Sequence, residues 1–266
     1  MRRRARVRQH RLVIHRAVAV GVIALGAGSA VGAGLAGAAM ARPTAAPTVA
    51  LGGASAHCPA NLADELKSTG SARQLVTLDA ARSPSTFALL TTWKRRGACW
   101  ARVAGPFTSR IGVNGISAHK VEGDGTTPAG AFGIGPVIYG NGPDPGVRYP
   151  YHHLVCGDWW DEDPSSRWYN SFKHIACGSY PSWTGGDSEA LWTETTAYQS
   201  FAWIEYNTDP VVPGRGSAIF LHDNIGTATT GCVTLAPATL DKVLDWLRPS
   251  DRPRVVIGTD ATIRGY

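Results

Sequence analysis

Nineteen consecutive residues, SAIFLHDNIGTATTGCVTL from Ser217 to Leu235, constrain this chain more than any other stretch. Ser217 to Leu221 is a small, mostly apolar run of β type, and it delivers His222 at a strand end, where loops commonly carry function. Asp223 to Thr230 is rich in polar and turn-forming residues and folds the chain back. Gly231 allows close backbone approach, and Cys232 follows it. A base and a sulfur nucleophile are thereby placed on one compact supersecondary unit, within hydrogen-bond reach of each other. A free thiol is weakly ionised at neutral pH and needs such a base to attack a carbonyl. The consecutive amides of Thr230, Gly231 and Cys232 are the candidate oxyanion donors, a contribution of about 3 to 4 kcal/mol each in a transition state. The reading is a cysteine acyl-transfer enzyme, with Cys232 as nucleophile and His222 as general base and acid.

The rest of the chain reads as β-rich with a few short helices, without internal repeats. Asn61 to Thr69 carries helical apolar spacing at Leu62 and Leu66. RQLVTLDA from Arg73, STFALLTTWKR from Ser85, and Ala98 to Val103 read as strands. Pro237 opens a helix with Leu240, Val243, Leu244 and Leu247 on one face, and Pro249 stops it. Arg254 to Ile257 makes a final strand. Residues 58–266 suit one domain with a sizeable core.

What precedes that domain concerns the compartment. Seven arginines and no acid lie in residues 1–41, where an Ala/Gly/Val-rich run follows the basic start. This is an export signal ending at an A-x-A-like site, Ala39-Met40-Ala41, or a membrane anchor if it stays uncleaved. Either outcome places the remainder outside the cytoplasm. Residues 42–57, rich in Pro, Ala, Thr and Gly, read as a flexible linker. The full chain carries 26 basic and 20 acidic residues, so the part after residue 41 has 19 against 20. The basic balance belongs to the export segment, and a nucleic-acid partner loses its electrostatic footprint.

Five cysteines fit an oxidising compartment. Two bridges among Cys58, Cys99, Cys156 and Cys177 leave Cys232 free. Cys58 with Cys99 and Cys156 with Cys177 is the most local of three pairings, and sequence alone does not choose among them. There is no paired Cys-x-x-Cys and no His pair at helical spacing, so no metal is expected, and no organic cofactor is implied. Trp159, Trp160, Trp168, Tyr169, Trp183 and Trp192 fall in a loop-rich insertion with Cys156 and Cys177. Most of them are expected to pack around the bridge, with a minority exposed to stack on sugar or peptide. Glu189 and Asp163 in this region read as solvated or capping carboxylates. EGDGTTPAGAFGIG has spaced glycines but lacks the Gly-Lys-Ser/Thr ending of a phosphate loop, and reads as a turn-rich connection into a strand.

These residues also carry a resemblance. The strand-end His222 followed by Thr229, Thr230, Gly231 and Cys232 resembles the signature of the L,D-transpeptidase catalytic domain (YkuD-type) family. EGDGTTPAGAF at 122–132 resembles that family's G-D-G-x-T-P-x-G-x-F element. WWDEDPSSRWYN and SEALW resemble a pattern of an actinobacterial-type secreted branch. The likeness covers roughly residues 100–258 with its elements in order. Papain-like domains place Cys before His, and sortase-like domains separate the pair by far more chain. Two positions depart from many members: His222 is followed by Asp223 rather than glycine, and Thr234 stands where an arginine follows Gly-Cys. An arginine there would hold an anionic group of the substrate, whereas threonine offers only a neutral hydrogen bond.

The resemblance implies a mainly β, mixed β-sandwich (β-rich α+β) with the cysteine in a cleft. It implies peptidoglycan stem peptides as substrate, 3-3 cross-links formed through a Cys232 thioester, and acylation of the cysteine by penem-type β-lactams. Thr229, Thr234, Pro128 and Gly130 are the implied substrate contacts. Two other readings share the same motif residues: an L,D-carboxypeptidase that hydrolyses the thioester, and a non-catalytic wall-binding protein.

Overall fold

Asn61 caps one helical turn, Leu62–Glu65 (α1), its side-chain oxygen accepting from the Asp64 amide at 3.0 Å. The helix expected as far as Thr69 stops after these four residues. Leu66 turns to extended backbone and is buried with Ala63 against Trp93 and Trp100. Ser68, Thr69 and Gly70 have little helical propensity to oppose that pull. The computed structural model describes residues 58–183 and 188–266, all within the unit Gly53–Tyr266. The expected export segment and linker lie outside the described residues.

Strands follow in the order β1 (Gln74–Ala80), β2 (Phe87–Arg96), β3 (Cys99–Arg110), β4 (Ile116–Ser117), β5 (Thr127–Pro128), β6 (Gly130–Gly140) and β7 (Tyr151–His153). Beyond them come β8 (Asp158–Asp161), β9 (Ser171–His174), β10 (Glu189–Ala190), β11 (Phe201–Ile204), β12 (Phe220–Asp223) and β13 (Val233–Leu235). The helix α2 (Pro237–Trp246) and strand β14 (Arg254–Thr259) complete the set. Nine strands make one sheet, ordered β13-β12-β11-β6-β14-β1-β2-β3 with β7 beside β6. Its inner strand β1, between β14 and β2, is buried on both faces, which matches its near-continuous Leu-Val-Thr-Leu run. The two ends of the sheet approach each other. The Arg110 amide of β3 donates to Thr234 Oγ1 of β13 at 3.3 Å, so the sheet is nearly closed. This is the β-rich fold the sequence predicts.

The main core fills the interior with Val76, Leu78, Leu90, Ile138, Leu221 and Leu235, and α2 covers it with Leu240, Val243, Leu244 and Leu247. Pro237 opens α2, and Leu247 leaves it in extended backbone ahead of Pro249. Gln74 clamps this helix end, donating to Trp246 O at 2.7 Å and accepting from the Arg248 amide at 2.7 Å. Those bonds satisfy groups that a helix terminus leaves unpaired.

A second cluster bears on function. Tyr139, Trp160, Tyr198, Phe201 and Phe220 pack together with Cys232. The small sheet β10-β8-β9 lies over this cluster, and the disulfide Cys156–Cys177 closes its root. Trp160 and Tyr169 are buried, while Trp168 is exposed, with the Lys173 ammonium over its ring. The other bridge, Cys58–Cys99, fastens the domain's start to β3.

Candidate active site

β12 and β13 run parallel, with Leu221 level with Val233 and His222 level with Thr234. Side chains alternate between faces along a strand, so Cys232, one residue before Val233, shares the face of Phe220 and His222. Tyr198 confirms that face, its ring meeting both Phe220 and His222 edge-on. The Cys232 thiol donates to Ala218 O at 3.3 Å, and its sulfur accepts from the Phe220 amide at 3.3 Å. His222 Nδ1 bonds the Asp223 carbonyl at 2.9 Å. A carbonyl only accepts, so Nδ1 carries the proton and Nε2 is left as the basic nitrogen. The thiol and imidazole thus share one face, the thiol held by the Ala218 carbonyl and the imidazole by the backbone carbonyls of Asp223 and Ala197. The Asp223 carboxylate accepts from the Ser200 amide at 3.3 Å through Oδ2.

Burial sets the protonation states. Removing water from around the imidazole pushes His222 from its ordinary 6.5 down to about 4. Desolvation pushes the Cys232 thiol far up, and the nearby Glu189 carboxylate adds to the shift, while the Phe220 amide and Lys120 oppose it. At neutral pH the resting pair is therefore a thiol and a neutral imidazole, not an ion pair. Activation must then come from proton transfer as the sulfur attacks. A consequence for kinetics follows. The acid limb of kcat/KM is expected near pH 4 rather than 6.5, because the base form of His222 persists down to its lowered pKa. Glu189→Gln is expected to leave that limb in place. A limb near pH 7 in the native protein that vanishes in the Glu189→Gln variant would transfer the base role to Glu189.

The nucleophile's loop is held from below by the segment after β3. Thr229 N donates to Ile111 O at 2.9 Å, and Val113 N donates to Thr229 O at 2.7 Å. The Thr229 hydroxyl donates to Cys232 O at 2.7 Å and accepts from the Gly231 amide at 3.2 Å. One of the three amides named as oxyanion donors is therefore engaged by Thr229, which leaves those of Thr230 and Cys232. Gly231 has φ of +153°, and a Cβ there would lie 2.9 Å from Thr126 O and 3.2 Å from Lys120 Nζ. Gly231→Ala must displace backbone, and it is expected to cost about 2 kcal/mol and to slow Cys232 acylation at least tenfold. Thermal melting and the rate of acylation check this together.

Cys232 opens on a cavity of about 480 Å³, a size suited to a small-molecule or peptide site. Thr230, Gly231, Lys120, Glu122 and Glu189 also line it, and His222 does not. Thr127, Pro128, Ala129 and Gly130 do not line the cavity, although Thr126 just before them reaches Gly231 of its wall. Pro128 pairs with Ser117 in the β4–β5 ladder, and Gly130 pairs with Ile257 of β14. The same segment reaches the cavity through Glu122 and Gly123 instead. Thr234 is buried against the Arg110 backbone, and Thr229 serves the loop as described, so neither lines the cavity.

Glu189 and Lys120 are the residues sequence reasoning missed. Burial raises Glu189 to about 7, and it accepts a 2.6 Å bond from the hydroxyl of Tyr198, the residue that meets the imidazole edge-on. A solvated or capping role was the expectation for Glu189. Its pairing on β10 with Trp160 of β8 is what carries it to the cavity, and no local spacing encodes that. Among the described residues no group of three or more His, Cys, Asp and Glu side chains is arranged to hold a metal ion.

A β-rich domain thus sets a lone thiol and a neutral imidazole on one sheet face, with the thiol open to a cavity. Comparison with protein families matches residues 92–257 to the L,D-transpeptidase catalytic domain, YkuD, and the chain belongs to that family. No curated protein and no solved structure matched the chain. The family consists of extracytoplasmic cell-wall enzymes acting on peptidoglycan stem peptides. The match runs from within β2 to within β14 and includes Cys232 and His222. No helix among the described residues is long and apolar enough to cross a membrane.

Proposed function

We propose that this chain is an exported L,D-transpeptidase that forms 3-3 cross-links, with 58–266 as its catalytic domain behind an export segment, 1–41, and a linker, 42–57. The observation that carries the reading is the shared face of β12 and β13, where Cys232 borders the cavity and the neutral His222 follows two residues along. The donor is a tetrapeptide stem. Rotation of the Cys232 side chain gives up the bond to Ala218 O and turns the thiol toward Nε2 of His222. The sulfur attacks the carbonyl carbon of the third residue as His222 takes its proton, and the Thr230 and Cys232 amides receive the developing oxyanion. Collapse breaks the bond to the terminal D-alanine nitrogen, which leaves with the proton from His222, and a thioester remains. A side-chain amine of a second stem then attacks the thioester, His222 accepts the amine's proton, and the thiol is released. Penem-type β-lactams acylate Cys232 by the same first step.

Mixing the protein, with its disulfides formed, with tetrapeptide muropeptides and reading the products by mass spectrometry tests this. Cross-linked dimers lacking one D-alanine are the expected product. Tripeptide monomers alone would make the chain an L,D-carboxypeptidase, and unchanged muropeptides from a folded sample would favour a wall-binding role.

A further inference from the structure

We infer that Lys120 is the residue that binds the substrate's terminal carboxylate beside Cys232, filling with a lysine from the loop after β4 the anion-holding role that Thr234 cannot perform. The substrate class rests on the transpeptidase reading above, whereas the anion site itself rests on the geometry alone. Thr234 does not line the cavity, and its hydroxyl is occupied by the Arg110 backbone. Among the described residues that line the Cys232 cavity, Lys120 is the one basic side chain. It is 3% exposed, and its stem is fixed by close packing on Gly216, where a Cβ would fall 2.7 Å from Lys120 Cε. Its ammonium lies 3.2 Å from the place a Cβ of Gly231 would occupy, which sets it against the residue preceding the nucleophile.

Lys120 Nζ donates to Asp124 Oδ1 at 3.0 Å, but that carboxylate is the hub of its own loop. Asp124 also accepts from the Val121 amide and from the amide and hydroxyl of Thr126, at 2.7 to 2.8 Å. Its negative charge is shared over four donors, while an ammonium has three protons to give and Asp124 takes one. A buried ammonium with donors to spare on a cavity wall is a point binder for a carboxylate. The other charged groups of the wall are Glu122, Glu162 and Glu189, and they repel an anion from the rest of the cavity. Glu122 is engaged by the hydroxyls of Ser217 and Tyr169. In a tetrapeptide donor the terminal carboxylate stands three bonds from the scissile carbonyl carbon, so a cation beside Gly231 is placed to meet it while Cys232 attacks. The lysine thereby selects donors that end one residue after the attacked carbonyl.

Two reagents of the same size and opposite demand read this site without requiring turnover. Iodoacetate and iodoacetamide both alkylate Cys232, and only the first is an anion. The iodoacetate-to-iodoacetamide rate ratio at Cys232 is expected to exceed that of a free cysteine thiol in the same buffer. It is expected to fall at least fivefold in Lys120→Gln and to be retained in Lys120→Arg. On tetrapeptide donors, Lys120→Gln is expected to raise KM at least tenfold for the free carboxylate and to leave the C-terminal amide analogue unchanged. An unaltered ratio in a folded Lys120→Gln protein overturns the inference. Should that variant fail to fold, a native ratio no higher than that of the free thiol overturns it equally. A ratio that shifts as expected while neither donor is turned over supports the anion site and rejects the transpeptidase reading instead.

Discussion

Cys232→Ala is expected to abolish acyl-enzyme formation and to leave the domain folded. The side chain is buried and its thiol makes one weak donated bond, to Ala218 O. Losing that bond and one sulfur atom from the aromatic cluster costs about 1 to 2 kcal/mol, well inside the stability of a domain with this much buried surface. The chemical loss is of a different order. Every covalent step requires the sulfur, and the four other cysteines are joined as Cys58–Cys99 and Cys156–Cys177. Intact-protein mass after exposure to a tetrapeptide donor, with thermal melting beside it, measures both halves of the expectation. An unfolded variant would assign Cys232 a structural role, and persisting turnover would remove it from the chemistry.

His222→Ala is expected to slow acylation of Cys232 by about 10² to 10⁴ at neutral pH, the usual range for loss of general base catalysis. The resting thiol is pushed upward by burial and stays protonated, so it depends on the imidazole more than a preformed thiolate would. The dependence has a signature in pH. As the solution becomes alkaline enough to ionise the thiol unaided, alkylation of the variant should approach that of the native protein. A variant slower by the same factor at every pH would mean that His222 acts through packing against Tyr198 and not as a base. Some stability is lost as well, since a side chain 6% exposed is removed from that contact.

Local pattern made much of this architecture legible. Leu75, Val76 and Leu78 marked β1, and the spacing of Leu240, Val243, Leu244 and Leu247 marked α2 and its buried face. The His222-to-Cys232 segment was legible as a strand, a turn-rich loop and a nucleophile, while the parallel pairing of β12 with β13 depends on distant partners such as Ile111 and Val113, which pin Thr229. The helix written into Asn61 to Thr69 failed where tertiary contact overrode propensity, with Leu66 drawn out to Trp93 and Trp100. The cavity was legible only in part. Gly231 and Thr230 belong to the local segment, but Lys120 arrives through the ladder of β4 with β5, and Glu189 through β10 beside β8. Contacts between residues so distant in the chain leave no periodicity in the sequence. The motif at Pro128 and Gly130 suggested a wall role, and the structure shows them paired with Ser117 and Ile257.

The nucleophile is tested most directly by incubating the protein with a tetrapeptide stem, quenching in acid to preserve the thioester, and mapping the adduct by peptide mass spectrometry. The account predicts the stem, less its terminal D-alanine, on the peptide that carries Cys232, and no adduct in Cys232→Ala. An adduct on any other residue, or D-alanine release by Cys232→Ala at the native rate, would contradict it.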